Sequence, residues 1–140
     1  WTNHLTSAMF LRQIFLLGFA LGITFEPCQS QRQSGAIWMP SPHHFTGRRG
    51  QTAKWLIIHG TAGGSSAQNI GNWFKNPNSK TSTHYVVGRD GVIVQCVDEK
   101  NGAWGNGVIE RGADSWWSRT GNPNYATISI ELVKPSKDNS

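Results

Sequence analysis

His59 is the residue whose type and position point most clearly to chemistry. It ends the apolar run Trp55–His59, and the glycine-rich segment Gly60–Gly64 comes next. This pattern predicts a buried strand that ends at a loop, with His59 on the same face as Ile57. Side chains at the carboxyl end of a strand lie open to ligands. His59 is therefore either a functional imidazole or a strand-end histidine bonded to a backbone carbonyl.

Glu131 is the second candidate, because it lies in the middle of an apolar strand. The alternation over residues 125–133 predicts two faces: Ile128, Ile130 and Leu132 on one, and Thr127, Ser129, Glu131 and Val133 on the other. A carboxylate without a partner is costly to bury. Two interpretations stay open at this point. Glu131 is either solvated or paired with Lys134 or Arg119, or it is a catalytic group.

Four segments in a fixed order make the pattern more specific than a single His-Gly pair. They read Ile-His-Gly-Thr-Ala-Gly-Gly at 58–64, Thr-His-Tyr-Val-Val-Gly-Arg-Asp-Gly-Val-Ile at 83–93, Gly-Ala-Trp-Gly-Asn-Gly at 102–107 and Ile-Ser-Ile-Glu-Leu at 128–132. Together they resemble the zinc-dependent N-acetylmuramoyl-L-alanine amidases, a family that includes phage amidases and peptidoglycan recognition proteins. The resemblance extends from Trp55 to Val133 and leaves the N-terminal third outside.

The resemblance implies an α/β fold with a central mixed β-sheet flanked by helices, incomplete at its C-terminus. It also implies hydrolysis of the amide bond between N-acetylmuramic acid and L-alanine in peptidoglycan. His59 would then be a zinc ligand, zinc would activate the attacking water, and Glu131 would be the general base. We expect the substrate to contact five further residues: Thr61, Trp104, Asn106, Trp116 and Trp117.

Two positions depart from the pattern of the family. Thr83 stands where phage members carry a tyrosine, so a tyrosine-assisted mechanism is not expected and Glu131 remains the base. Gly105 stands where many relatives carry a second histidine, so a substrate contact from that side chain is absent. His84 matches a histidine that the family often keeps, and we interpret it as a structural residue bonded across the sheet rather than a metal ligand.

The expected zinc site is incomplete within these residues. A catalytic zinc needs three protein ligands, and the family places the partners of the first histidine well after the strand that carries the glutamate. Here no histidine comes after His84, and the chain ends at Ser140. We therefore expect a fragment whose remaining ligands and C-terminal helix lie beyond Ser140. On its own it should bind zinc weakly, lack activity and be unstable because one sheet face is exposed.

The length and charge of the chain limit the number of domains and the kinds of partner that it can have. A chain of 140 residues suits one domain, and its net charge of +5 favours an anionic partner such as the bacterial wall. Its basic residues are dispersed, apart from Arg48-Arg49, so no nucleic-acid-binding stripe is visible. We expect a monomer that binds peptidoglycan or muropeptides, without a nucleic-acid partner or a stable membrane span.

The N-terminal residues predict export. Ile14–Phe25 is apolar and uncharged, which suits a secretory signal peptide better than a core helix, with Met9 as a candidate start. We divide the chain into a leader at 1–28, a linker and extended segment at 29–50, and the N-terminal part of an amidase domain at 51–140. The protein is then secreted or located in the cell wall. A Cys28–Cys96 bridge requires that Cys28 survives cleavage, and Cys96 is otherwise a buried free thiol.

Local patterns place the remaining elements. Ala67, Ile70, Gly71 and Phe74 recur at helical spacing after a serine cap at Ser65 or Ser66, and Asn76-Pro77 ends the helix. Arg89-Asp90-Gly91 predicts a tight hairpin between two strands, and Trp116-Trp117 lies in a predicted loop. Residues 37–45 are predicted as an extended surface loop that packs Trp38 and Phe45, with His43 and His44 pointing opposite ways.

Two other functions are compatible with the sequence. The first is a recognition domain that holds muropeptides without cleaving them, since family members of that kind have lost a zinc ligand. The second is a tryptophan-rich saccharide-binding module in which His59 has no function. Glu131 together with an intact His59 favours the enzyme. Binding without any zinc dependence would favour the saccharide module.

Overall fold

A computed structural model describes residues 32–108 and 115–135 of the chain. The strands in chain order are β1 Ile37–Trp38, β2 His44–Phe45, β3 Trp55–Gly60, β4 Tyr85–Val87, β5 Ile93–Gln95, β6 Gly102–Ala103 and β7 Thr127–Leu132. The helices are α1 Ala67–Lys75, α2 Ser115–Ser118 and α3 Pro123–Ala126. The expected leader, Cys28 and the C-terminal tail lie outside the described residues. None of the three helices in the described part of the chain has the length and apolarity that crossing a bilayer requires.

The central sheet is mixed, as predicted. Its strand order is β1-β5-β4-β7-β3, and β2 and β6 form a separate antiparallel pair. β7 pairs in parallel with β3 on one side and with β4 on the other, and β5 runs antiparallel to β4. The β4–β5 hairpin turns at Gly91, whose φ of 82° favours glycine. The parallel pairing brings the carboxyl ends of β3 and β7 to the same edge.

Helix α1 covers one face of the sheet and forms the core with it. Ser66 caps the helix, as expected, because its Oγ accepts a hydrogen bond from the Asn69 backbone N–H at 3.1 Å. The helix packs on β4 and β5. The buried cluster between them consists of Ala67, Phe74, Val86, Val94, Cys96 and Val133. Cys96 is a buried free thiol, as predicted, and burial raises its pKa to about 12.

The prediction that β3 is a buried strand was wrong. β3 is an edge strand of the sheet, and the side chains of Leu56 and Ile58 are 57% and 59% exposed. Leu132 on the neighbouring strand is exposed on the same face. An apolar run favours a strand, but only the neighbouring elements determine how many of its faces are covered. The expected exposed sheet face is therefore present in the described part of the chain.

Three local predictions also need correction. The predicted strand over 125–133 is shorter, because Asn122 caps α3 and Pro123 begins it, so that Tyr125 and Ala126 are helical. Trp116-Trp117 lies in α2 rather than in a loop, and Thr120 N–H closes that turn on the Trp117 carbonyl at 3.1 Å. His43 is buried rather than in a surface loop, since its ring packs 5.3 Å from that of Trp104.

Candidate active site

His59 and Glu131 lie side by side in the central sheet. β3 and β7 are parallel and in register, so that His59 is the direct partner of Glu131 across the strand pair. On its other side Glu131 is in register with Val86, which is fully buried against α1. The imidazole and the carboxylate therefore belong to the sheet face that α1 covers.

The Glu131 carboxylate is partly buried and incompletely paired. Its Oε2 atom is buried and has no hydrogen-bond partner among the described residues. Burial raises the pKa of Glu131 above its usual range, while a positive charge on His59 opposes this shift. A buried carboxylate oxygen without a partner is costly, and such atoms persist in native proteins where they serve a function. This oxygen is available to accept a proton from a water or to hold a ligand.

An open groove of about 520 Å³ runs between α1 and the loop after β3. Glu131 lines it together with Gly60, Thr61, Ala62, Gly63, Ile70, Trp73, Phe74 and Thr81. Trp73 is 54% exposed on α1 and gives the groove an apolar side. An apolar wall with one carboxylate suits a substrate that has both an apolar and a polar part. Sequence analysis did not identify Trp73 as a groove residue, because no local pattern shows which surface an exposed helical side chain will line.

Of the residues expected to contact substrate, Thr61 lines this groove. Its backbone N–H donates to the Leu132 carbonyl at 2.9 Å, and its hydroxyl accepts from the Lys134 backbone N–H at 3.0 Å. Trp104 packs on His43 and Phe45 and is 38% exposed. The hydroxyl of the groove residue Thr81 donates a hydrogen bond to the Trp104 carbonyl. These two positions remain compatible with substrate contact.

The other expected contacts are placed differently. Trp117 is not among the described residues that line the groove. Thr120, which follows α2, accepts a hydrogen bond through its carbonyl from the Gln51 side chain, shortly before β3. This contact connects α2 to the amino end of β3, whereas His59 lies at the carboxyl end of that strand. The side chain of Trp116 lies outside the described part. A substrate contact from these tryptophans stays a prediction.

Asn106 contacts the imidazole of His59 directly. Its Oδ1 lies 2.7 Å from His59 Nε2, and its Nδ2 donates to Thr127 Oγ1 at 2.7 Å. Both ends of the amide are therefore engaged within the chain. The expected substrate contact of Asn106 also stays a prediction. The observed contact instead connects Asn106 to His59, the candidate metal ligand.

The loop that carries Asn106 is held by a buried asparagine. Asn124 Oδ1 accepts from the backbone N–H groups of Gly105 at 3.2 Å and Asn106 at 2.9 Å, and its Nδ2 donates to the Gly107 carbonyl at 2.9 Å. A Cβ at Gly105 would lie 2.8 Å from both Ser129 Oγ and the Ser82 carbonyl. In this loop conformation the position has no room for a side chain.

His84 is a structural residue, as predicted, and it is fully buried behind the site. Its Nδ1 accepts from the Ser129 backbone N–H at 3.1 Å, and its Nε2 lies 3.1 Å from the Asn101 carbonyl and 3.2 Å from Arg48 Nη2. Burial lowers its pKa to about 4, and the nearby Arg48 contributes to the lowering. The ring thus links β7 to the loop after β5 in its neutral form.

Arg48 is a second residue whose role sequence analysis missed. It is buried and donates through Nε to the Glu99 carbonyl at 2.7 Å, and through Nη1 to the carbonyls of Tyr125 and Thr127 at 2.9 and 3.0 Å. Burial lowers its pKa, and Glu99 opposes the shift. Arg48 joins the segment before β3 to the start of β7. The sequence showed only an Arg48-Arg49 pair, and no local pattern separates a buried arginine from an exposed one.

The pKa of His84 predicts an acid-dependent loss of stability. Unfolded histidine takes up a proton near pH 6.5, whereas folded His84 does so only near pH 4. Between these values the unfolded state binds more protons, so stability falls as the pH falls, by about 3 kcal/mol at most. Urea unfolding at pH 7 and near pH 4 should show this loss in the wild type and a smaller one in His84→Gln. An identical pH dependence in both proteins would contradict the assignment.

The described residues fit only part of the expected metal site. His59 offers one nitrogen donor beside the unpaired Glu131 oxygen. Within residues 32–108 and 115–135, no three His, Cys, Asp or Glu side chains lie together so that they could hold a metal ion. A catalytic zinc takes three protein ligands. The described part therefore supplies one candidate ligand and the candidate base, and not the full ligand set.

Comparison with known proteins identifies a family and similar solved structures. The family model described as N-acetylmuramoyl-L-alanine amidase matches residues 49–140. A crystal structure of a selenomethionine derivative of AmpD is 25% identical with a TM-score of 0.54, and the match covers 75% of this chain and 64% of that one. No curated protein sequence matches the chain.

Two endolysin-type structures are also similar. A mutant endolysin from Bacillus subtilis is 28% identical with a TM-score of 0.50, over 71% of this chain and 61% of that one. The catalytic domain of XlyA is 29% identical with a TM-score of 0.50, over 74% of this chain and 63% of that one. The chain thus spans less than two thirds of the length of these solved structures.

Proposed function

Because this chain belongs to the N-acetylmuramoyl-L-alanine amidase family, we propose that the protein hydrolyses the amide bond between N-acetylmuramic acid and L-alanine in peptidoglycan. The single observation that carries this proposal is the Glu131 Oε2 atom, which is buried without a hydrogen-bond partner among the described residues. Glu131 lies in register with His59 and lines an open groove. Such an oxygen is available to take a proton from an attacking water in the groove.

The chemistry follows from the positions of the two side chains. Glu131 takes a proton from the attacking water and passes it to the leaving amine of L-alanine. Burial raises the pKa of this carboxylate in the metal-free protein, and a bound zinc ion would lower it. Glu131 must be deprotonated at the working pH to act as the base. The groove between α1 and the loop after β3 holds the substrate, with Trp73 as an apolar surface for the sugar or peptide.

Zinc is the cofactor that this proposal includes. When bound, it would lower the pKa of a water to about 7 and polarise the substrate carbonyl. His59 would hold it, and no group of three His, Cys, Asp or Glu side chains among the described residues completes the site. The proposal also includes a secreted or wall-located monomer.

Metal removal tests the cofactor. Activity is best measured on the full-length protein, because these residues span less than two thirds of the solved relatives. A chelator should abolish hydrolysis of purified peptidoglycan, and zinc should restore it, because the attacking water would lose its activation. Magnesium serves as the control and should not restore activity, since it prefers oxygen ligands. Full activity in the presence of the chelator would contradict the role of zinc.

The alternative is a recognition domain that binds muropeptides without cleaving them. It requires the same groove but no general base. The position of Glu131 directly beside His59 supports the enzyme over this alternative. Binding of muropeptides by a protein that releases no product would favour the recognition domain.

A further inference from the structure

We propose that Asn106 is a positioning residue that fixes the protonation of His59, so that Nε2 carries the proton and Nδ1 keeps its lone pair. The observation is the chain of contacts from His59 through the Asn106 amide to Thr127. These contacts join three parts of the sequence: the end of β3, the loop after β6 and the start of β7. Any effect of Asn106 on zinc binding rests on the proposed function, whereas the protonation state of His59 does not.

The orientation of the Asn106 amide is determined by Thr127. A hydroxyl group has one proton, and Thr127 Oγ1 donates it to the Pro123 carbonyl at 2.9 Å. Towards Asn106, 2.7 Å away, Oγ1 can therefore only accept. The group that faces it must be the amide nitrogen of Asn106, since an amide oxygen cannot donate. The hydrogen-bonding requirement of Thr127 therefore determines which atom of the Asn106 amide is the nitrogen and which is the oxygen.

The protonation of His59 is determined in turn by Asn106. With Nδ2 turned to Thr127, the oxygen Oδ1 faces His59 Nε2 at 2.7 Å. An amide oxygen accepts and cannot donate, so Nε2 must supply the proton. A neutral imidazole carries one proton, which leaves Nδ1 with its lone pair. Nδ1 is then the nitrogen that could bind a metal ion.

The loop is built to hold Asn106 in this position. Asn124 is buried and clamps the backbone on both sides of Asn106, and Gly105 approaches Ser82 and Ser129 too closely for a side chain. Ligand histidines in metal sites are commonly oriented by a hydrogen bond from their second nitrogen, and loss of that partner weakens metal binding 10- to 100-fold. Asn106 provides such a partner for His59.

Two variants separate this role from a purely structural one. Asn106→Leu has a similar volume and removes both the acceptor for His59 and the donor for Thr127. Asn106→Asp removes the donor for Thr127 but keeps an acceptor for His59. Both variants should lose stability through Thr127, and thermal unfolding of each measures that loss. Only Asn106→Leu should release the imidazole.

The first measurement is ¹⁵N NMR of the His59 imidazole in the metal-free full-length protein, recorded over a series of pH values that includes the neutral ring. We expect a protonated Nε2 that exchanges slowly with solvent in the wild type and in Asn106→Asp. In Asn106→Leu this slow exchange should be lost. A proton on Nδ1 in the wild type, or equally slow exchange in Asn106→Leu, would overturn the proposal. This result decides the question even if the protein hydrolyses nothing.

The second measurement is zinc affinity by competition with a chelator. Zinc should bind 10- to 100-fold more weakly to Asn106→Leu than to the wild type, and Asn106→Asp should retain the wild-type affinity. If both variants weaken binding equally, in proportion to their loss of stability, Asn106 acts only on the fold and the positioning role is refuted. Zinc binding by Asn106→Leu that is as tight as in the wild type would also refute it.

Discussion

Replacing Glu131 with glutamine in the full-length protein should lower the rate of peptidoglycan hydrolysis by about 10²- to 10⁴-fold while zinc and wall binding persist. Loss of a general base has this order of effect, because a glutamine amide cannot take a proton from water. The two side chains have nearly the same shape, so the groove that Glu131 lines should keep its form. The release of free amino groups from purified peptidoglycan measures the rate.

Glu99→Gln is the matched control for this variant. Glu99 is also a partly buried glutamate, but its Oε1 accepts from the Tyr85 hydroxyl, and glutamine can accept in the same way. This control should hydrolyse peptidoglycan at the wild-type rate. Unchanged hydrolysis by Glu131→Gln, in a protein with a normal melting temperature, would remove Glu131 from the mechanism.

Replacing Arg48 with methionine should destabilise the protein by about 3 kcal/mol or more. Methionine fills a similar volume, but the carbonyls of Glu99, Tyr125 and Thr127 lose their donor. Leaving a buried hydrogen-bonding group unsatisfied costs about 1–3 kcal/mol, and three such groups are affected. Urea unfolding measures the change in the free energy of unfolding.

Arg49→Met is the control for Arg48, at the next position in the chain. Arg49 is exposed and its guanidinium lies 5.5 Å from the ring of Tyr125. An exposed cation–π contact contributes about 0.5–1 kcal/mol, so Arg49→Met should have only this small effect. Equal destabilisation by the two variants would show that the buried hydrogen bonds of Arg48 do not stabilise the fold.

The features of the fold that depend on local patterns could be predicted from the sequence. Alternation over the last strand placed Glu131 and Ser129 on one face, and helical spacing with a serine cap gave α1 nearly to the residue. The exposure of β3 could not be predicted in this way, because it depends on which element lies against the second face of the sheet. The short helices α2 and α3 were missed, since one turn is too short to show a period.

The site residues that belong to the four ordered sequence motifs could be predicted from the sequence. The order of motifs singled out His59, Glu131 and the structural His84, and the register of β3 with β7 places the first two together. The side-chain contacts of Arg48 and Asn106 were not predictable. The partners of Arg48 lie 36–79 residues away in the sequence, and those of the Asn106 side chain lie 21–47 residues away. Polar contacts over such distances leave no periodic or local signal.

The most direct test of the proposed function is the identity of the bond that the full-length protein cleaves in purified peptidoglycan. Products are analysed for new free amino groups, with the N-terminal residue identified, and for new reducing ends of sugars. We predict new N-terminal L-alanine with no new reducing ends, and neither product from Glu131→Gln. New reducing ends without free L-alanine, or tight wall binding with neither product, would contradict the proposed amidase activity.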